Sequence, residues 1–125
     1  MTIWMWGSMN FTKPVPEEFR KGIVEKYGDM FSFSADGETL DLDYVMGDYG
    51  DDINEIAHFL EERGYAIDPK RSSFPYTGDY DGGYLYENGN FESFDQEEFI
   101  LRTLPTETLM DELNRRNSHG NPKQN

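Results

Sequence analysis

Two rhythms of apolar spacing run along this chain, a period of two and a period near four, and they alternate. Residues 2–6 (Thr-Ile-Trp-Met-Trp) are apolar on both alternating faces, which predicts a central strand covered on both sides. Gly7 marks a bulge or the end of that strand. Pro16 suits the first turn of a helix, and Phe19, Ile23 and Tyr27 follow at four-residue spacing. Gly28 is its natural stop.

The period of two then returns over residues 30–35 and 38–45, on either side of Asp36-Gly37, a two-residue hairpin signal. This turn sets Phe33 opposite Leu40 and Phe31 opposite Leu42 on an apolar face. Ser34 faces Thr39 and Ser32 faces Asp41 on the polar side, so Asp41 and Asp43 are expected to meet solvent. A helix is predicted over 51–63, with Asp51 or Asp52 as its cap and Ile53, Ile56, Ala57 and Leu60 as its buried stripe. A strand is expected from residue 65 to 67. The resulting order, strand-helix-strand-strand-helix-strand, is that of ferredoxin-like folds.

Residues 68–80 read as a loop with a short strand near 74–77. Asn88-Gly89 predicts a second hairpin, with Tyr86 across from Phe91 and Tyr84 across from Ser93. Asp95 caps a short helix, with Glu98 three residues on. Pro105 ends it and opens a last helix through Arg116, anchored by Leu109 and Leu113; residues 117–125 read as a disordered tail. The fold class expected is therefore α+β: one domain over 1–116, an antiparallel sheet with two helices, then a C-terminal hairpin and one or two short helices.

Composition adds the decisive constraint on partners. The 125 residues hold 25 acids against 11 Lys and Arg, a net charge of −14. Such a surface repels nucleic acid and anionic membranes and attracts basic proteins. The charges are also segregated. Between Lys26 and Arg63 there is no base and there are eleven acids; a second base-free stretch runs from Ser72 to Leu101. Aromatics make up 15% of residues, enough to build a core despite the charge. Without cysteine there is no disulfide framework, thiolate metal site or cysteine nucleophile. No apolar run reaches a membrane span and no signal peptide is evident, so a cytoplasmic location is expected.

Catalytic signatures are lacking: GxSxG, P-loop, HExxH and GxGxxG do not occur, and no enzymatic activity and no cofactor are expected. Asp79-Tyr80-Asp81-Gly82-Gly83 fails as a calcium loop, because the twelfth position is Asn90 rather than Glu. His58 has no companion ligands in sequence, so no metal site is expected. What stands out is carboxylates, with tyrosine beside them, a composition suited to protein interfaces. The residues singled out for partner binding are Asp41, Asp43, Asp48, Asp51, Asp52 and Glu55, expected as one face, with Asp79, Tyr80, Asp81, Glu87 and Glu92 as a second patch. Rigidly held carboxylates can take the place of phosphates in a basic groove. The expected function is an acidic inhibitor that occludes the basic nucleic-acid-binding surface of a nuclease or CRISPR effector. Phage anti-CRISPR and antirestriction proteins act this way as a class; the likeness is one of size and charge, with no shared motif. The alternatives are an immunity protein against a nuclease toxin, and a small phage or bacterial structural or assembly protein without mimicry.

Overall fold

Alternation along the first strand, β1 (Ile3–Asn10), places Ile3, Met5 and Met9 in the core and Trp4, Trp6, Ser8 and Asn10 on the opposite side. The computed structural model describes residues 2–104, and β1 lies near the middle of its six-stranded antiparallel sheet. The other strands are β2 (Phe31–Phe33), β3 (Thr39–Met46), β4 (Ser73–Gly78), β5 (Gly82–Glu87) and β6 (Asn90–Asp95). Their order across the sheet is β2-β3-β1-β4-β5-β6. Three helices complete an α+β architecture: α1 (Glu17–Tyr27), α2 (Gly50–Glu62) and α3 (Gln96–Thr103).

Both hairpins take the expected registers, although the first turns through Ser34–Gly37, the Gly37 N–H donating to the Ser34 carbonyl at 3.0 Å, rather than through Asp36-Gly37 alone. Phe31 pairs with Leu42 and Phe33 with Leu40; Tyr84 pairs with Ser93 and Tyr86 with Phe91. Asn88 and Gly89 both take positive φ, as a two-residue turn of this kind requires. Helices α1 and α2 cover one face of the sheet. Ile53, Ile56, Ala57 and Leu60 of α2 and Ile23 of α1 are all buried. They meet Met5, Met9, Leu40, Leu42, Phe74 and Phe91 from the sheet. Each such aliphatic side chain stabilises by about 1.5–3 kcal/mol relative to exposure.

The third helix lies on the other face. Gly83 is the reason it can: a Cβ there would sit 2.2 Å from the Phe99 ring, so only glycine lets α3 seat on β5. Arg102 of α3 lies 4.2 Å over the Phe94 ring and pairs with Glu87 and Glu98. The short helix is capped as the sequence indicates, the Glu98 N–H donating to Asp95 Oδ1 at 3.0 Å.

Three expectations need correction. The strand at 65–67 reduces to one isolated bridge between Phe11 and Ile67. Pro69 lacks the N–H that a ladder needs, and Asp68 turns the chain by accepting from the Lys70 N–H at 3.0 Å. The fourth strand is instead β4, in the segment read mainly as loop. Second, neither Asp51 nor Asp52 caps α2. Asp48 does this work from outside the helix, accepting from the Gly50 N–H at 3.0 Å. Third, β1 is near the centre but, among the described residues, covered by helices on one face only; α3 sits over β5 and β6, and Trp4 is partly exposed. The helix and tail expected after Pro105 lie outside the described residues.

Helix α2 is fastened to the second hairpin by polar side chains, Asn54 at the Phe91 backbone and His58 at the turn. Asn54 accepts from the Phe91 N–H at 2.7 Å and donates to the Phe91 carbonyl at 3.0 Å. Asn54→Ala should lower the unfolding free energy by about 1–3 kcal/mol, because both Phe91 backbone groups lose their partner. Urea denaturation with an unchanged m-value is the check.

Candidate functional site

A β-bulge decides which side chains the open sheet face displays. Met5 pairs with Val45, but Gly7 pairs with Leu42. Two residues of β3, Asp43 and Tyr44, therefore oppose Trp6 alone. Gly7 allows the arrangement: its φ is +133°, and a Cβ there would lie 2.1 Å from the Ser73 carbonyl oxygen. The extra residue returns Val45 to the core side and leaves Asp43 and Tyr44 both in solvent.

Tyr44 consequently lies against the two tryptophans. Its ring stacks on Trp4 with centroids 5.2 Å apart and planes within 7°. Trp6 meets the same ring at 5.5 Å and 46°. Met46, paired across the ladder with Trp4, extends the group. Exposure is 37% for Trp4, 58% for Tyr44 and 57% for Met46. A groove of about 400 Å³ separates the group from α3, with Trp6, Pro75, Phe99 and Ile100 among its walls together with Asp81. Asp41 and Asp43 share this face of β3. Asp41 is partly buried, and burial first, then the Asp43 charge, raises its carboxyl above the usual range.

The sequence-selected acids fall into separate places. Asp41 and Asp43 project from the face opposite α1 and α2, whereas Asp48, Asp51, Asp52 and Glu55 belong to α2 and the loop before it. The sheet separates the two sets, so they do not form one continuous face. Asp48 is engaged: besides its helix cap, it accepts from the Tyr84 hydroxyl at 2.9 Å. Burial, then that hydrogen bond, holds the Tyr84 hydroxyl well above its ordinary pKa. Glu55 is engaged too, accepting from Lys26 Nζ at 2.5 Å and from the Tyr27 hydroxyl. Those donors hold Glu55 below the usual carboxylate range. The Tyr27 hydroxyl is pushed up to about 12, by burial and then by Glu55. Asp51 stands exposed; Asp52 is half-buried, and burial, then Glu55 and Asp51, raise it.

In the second patch, Asp79 accepts from the Thr2 N–H at 2.6 Å and Asp81 from the Thr77 hydroxyl at 2.6 Å. Both therefore brace the β4–β5 connection. Tyr80 is exposed and meets buried Tyr76 edge-on at 5.7 Å. Glu87 pairs with Arg102, and Glu92 stands exposed on β6 across from Leu85. His58 Nε2 lies 2.7 Å from Asn90 Oδ1 and 3.1 Å from the Gly89 carbonyl oxygen, serving the hairpin turn. Among the described residues no three His, Asp or Glu side chains gather as a metal site.

Sequence reasoning missed Trp4, Trp6, Tyr44 and Met46 as a surface. The signal was present in the alternation that puts both tryptophans opposite Ile3 and Met5. No family model, curated protein or solved structure matches this chain.

Replacing half-buried Asp41 by Asn should raise stability at neutral pH by a few tenths of a kcal/mol. The folded-state pKa of Asp41 is raised, so its charge destabilises above that pKa; the gain should vanish below about pH 4, where both states are protonated. Thermal melts at pH 7 and pH 3.5 read both. The same sign holds at alkaline pH. Tyr27 is raised from 10.0 to about 12, so the stability it contributes is complete below pH 10 and is lost as pH rises toward 12. Tyr27→Phe should flatten that alkaline decline, seen in denaturation midpoints between pH 9 and 12.

Proposed function

We propose that this chain is an acidic protein-binding inhibitor that occupies the basic nucleic-acid-binding surface of a target enzyme, a nuclease or a CRISPR effector. One observation carries the reading. Glu38, Asp41, Asp43, Asp51 and Asp52 make no ion pair with any described residue, although they sit on a hairpin, a central sheet and a helix start. Acids that served only the fold would be expected to find partners. These are held apart on rigid backbone, the condition under which carboxylates can stand in for phosphates with little ordering cost on binding. Among the described residues no helix is long and apolar enough to cross a membrane.

The fold reading extends the same way. The strand order β2-β3-β1-β4, with α1 after β1 and α2 after β3, supports taking residues 3–78 as a ferredoxin-like unit. The β5–β6 hairpin and α3 would then be an extension along one edge.

An immunity protein against a nuclease toxin would need the same surface, and the captured enzyme tells the two apart. The test is affinity capture on the full chain from nuclease-treated lysate at low and high salt. A basic nucleic-acid enzyme should be retained and should be released as salt screens the contact. Retention of nothing basic at low salt would sink the proposal. With the captured enzyme in hand, the double substitution Asp51→Asn and Asp52→Asn should weaken binding about tenfold, at the scale of one lost charge contact. Its melting temperature should stay near wild type. Asp48 is unsuited to this test, because it holds Tyr84 and the start of α2.

A further inference from the structure

We propose that the open sheet face, centred on the Trp4–Tyr44 stack, docks an arginine-bearing segment of the partner protein, with guanidinium groups on the rings and Asp41 and Asp43 at the margin. This rests on the reading of the chain as a binder of a basic protein, and it names where and by what chemistry the contact is made.

The face has the anatomy of an interface core. Two tryptophans, a tyrosine and a methionine lie together and partly in solvent, and aromatic and Met residues are enriched where protein partners bury their anchors. Its charge selects the occupant. Asp41, Asp43 and Asp81 lie on or beside the patch, and no described Lys or Arg lines the groove next to it. A second copy of this chain would bring the same aspartates against themselves, on a body already at −14. Nucleic acid could stack bases on the rings, but such platforms work with a positive groove for the phosphates, and this one is negative. A cation suits both features at once: the ring faces attract it and the carboxylates neutralise it. Arginine suits them better than lysine, because a planar guanidinium stacks on a ring while its edge donates to a carboxylate. The molecule makes this contact internally at Arg102, 4.2 Å over Phe94 with its edge on Glu87 and Glu98; Arg63 stacks likewise, 3.7 Å over Phe59, but donates to the Phe59 carbonyl.

The protein carries its own probe. Its two tryptophans are both on this face, so tryptophan emission reports the patch alone. The experiment titrates the full chain at low salt with a deca-arginine and a deca-lysine peptide, reading tryptophan emission and, separately, the anisotropy of labelled peptide. The arginine peptide should change the emission and reach half-saturation at about two- to fivefold lower concentration than the lysine peptide, the scale of exposed cation–π contacts. Tyr44→Ala should erase that preference while leaving salt-sensitive binding of both. Trp4→Phe, which keeps a ring, should retain part of it and guards against a loss of fold in other variants. Equal half-saturation with unmoved emission would overturn the proposal and leave the wider acidic-docking reading standing. Binding of neither peptide would overturn both. Acrylamide quenching without peptide tests prior occupancy. Tryptophans already shielded would overturn the proposal, pointing to a second copy if shielding depends on protein concentration and to the chain's own remaining residues if it does not.

Discussion

The rest of the structure depends on β1 pairing with two neighbours at once. Its ladder to β3 carries the first hairpin, and its ladder to β4 carries the second. Both must be satisfied by one backbone, and Gly7 is where they compete for space. A side chain there would strike the Ser73 carbonyl, so glycine is required for β4 to approach. The bulge in β3 at the same level absorbs the mismatch. This local accommodation accompanies the inward set of Met5, Leu42 and Val45 and the outward display of Tyr44.

Surface charge is organised around this frame in two ways. Some acids do structural work. Asp48 ties the start of α2 to β5 through Tyr84, Glu55 joins α2 to α1 through Lys26 and Tyr27, and Asp95 caps α3. Others, such as Asp43 and Asp51, lean on nothing among the described residues. Asp41 and Asp52 are held partly out of water near other acids, which raises their pKa and costs the fold stability at neutral pH. Positions that weaken the fold without a local return are where a binding role is a reasonable expectation.

Legibility in the sequence tracked the range of the interactions. Asn88-Gly89 fixes its register through the backbone of two residues, and the first hairpin keeps the register expected from Asp36-Gly37 although its chain turns through Ser34–Gly37. The α2 stripe was equally plain, because Ile53, Ile56, Ala57 and Leu60 repeat on one side. The cap of α2 was misassigned because Asp48, Asp51 and Asp52 are chemically alike, and only the path of the loop selects among them. The strand at 73–78 was underweighted because Pro75 and the surrounding serines resemble a loop; its neighbours β1 and β5 make it a strand.

The sequence by itself determined the α+β class, both hairpin registers, the buried face of each of the first two helices, and a strongly acidic net charge. These rest on spacing, turn chemistry and net charge, which are properties of neighbouring residues or of the whole composition. Only the tertiary structure decided that Tyr44 turns outward onto Trp4, that α3 covers β5 rather than β1, and that the acids divide between the two sides of the sheet. Strict alternation would have carried Tyr44 inward with Leu40 and Leu42. A one-residue bulge reverses the facing of everything beyond it, and it sits at the level where β1 and β4 approach closely between residues 7 and 73, far apart in the chain.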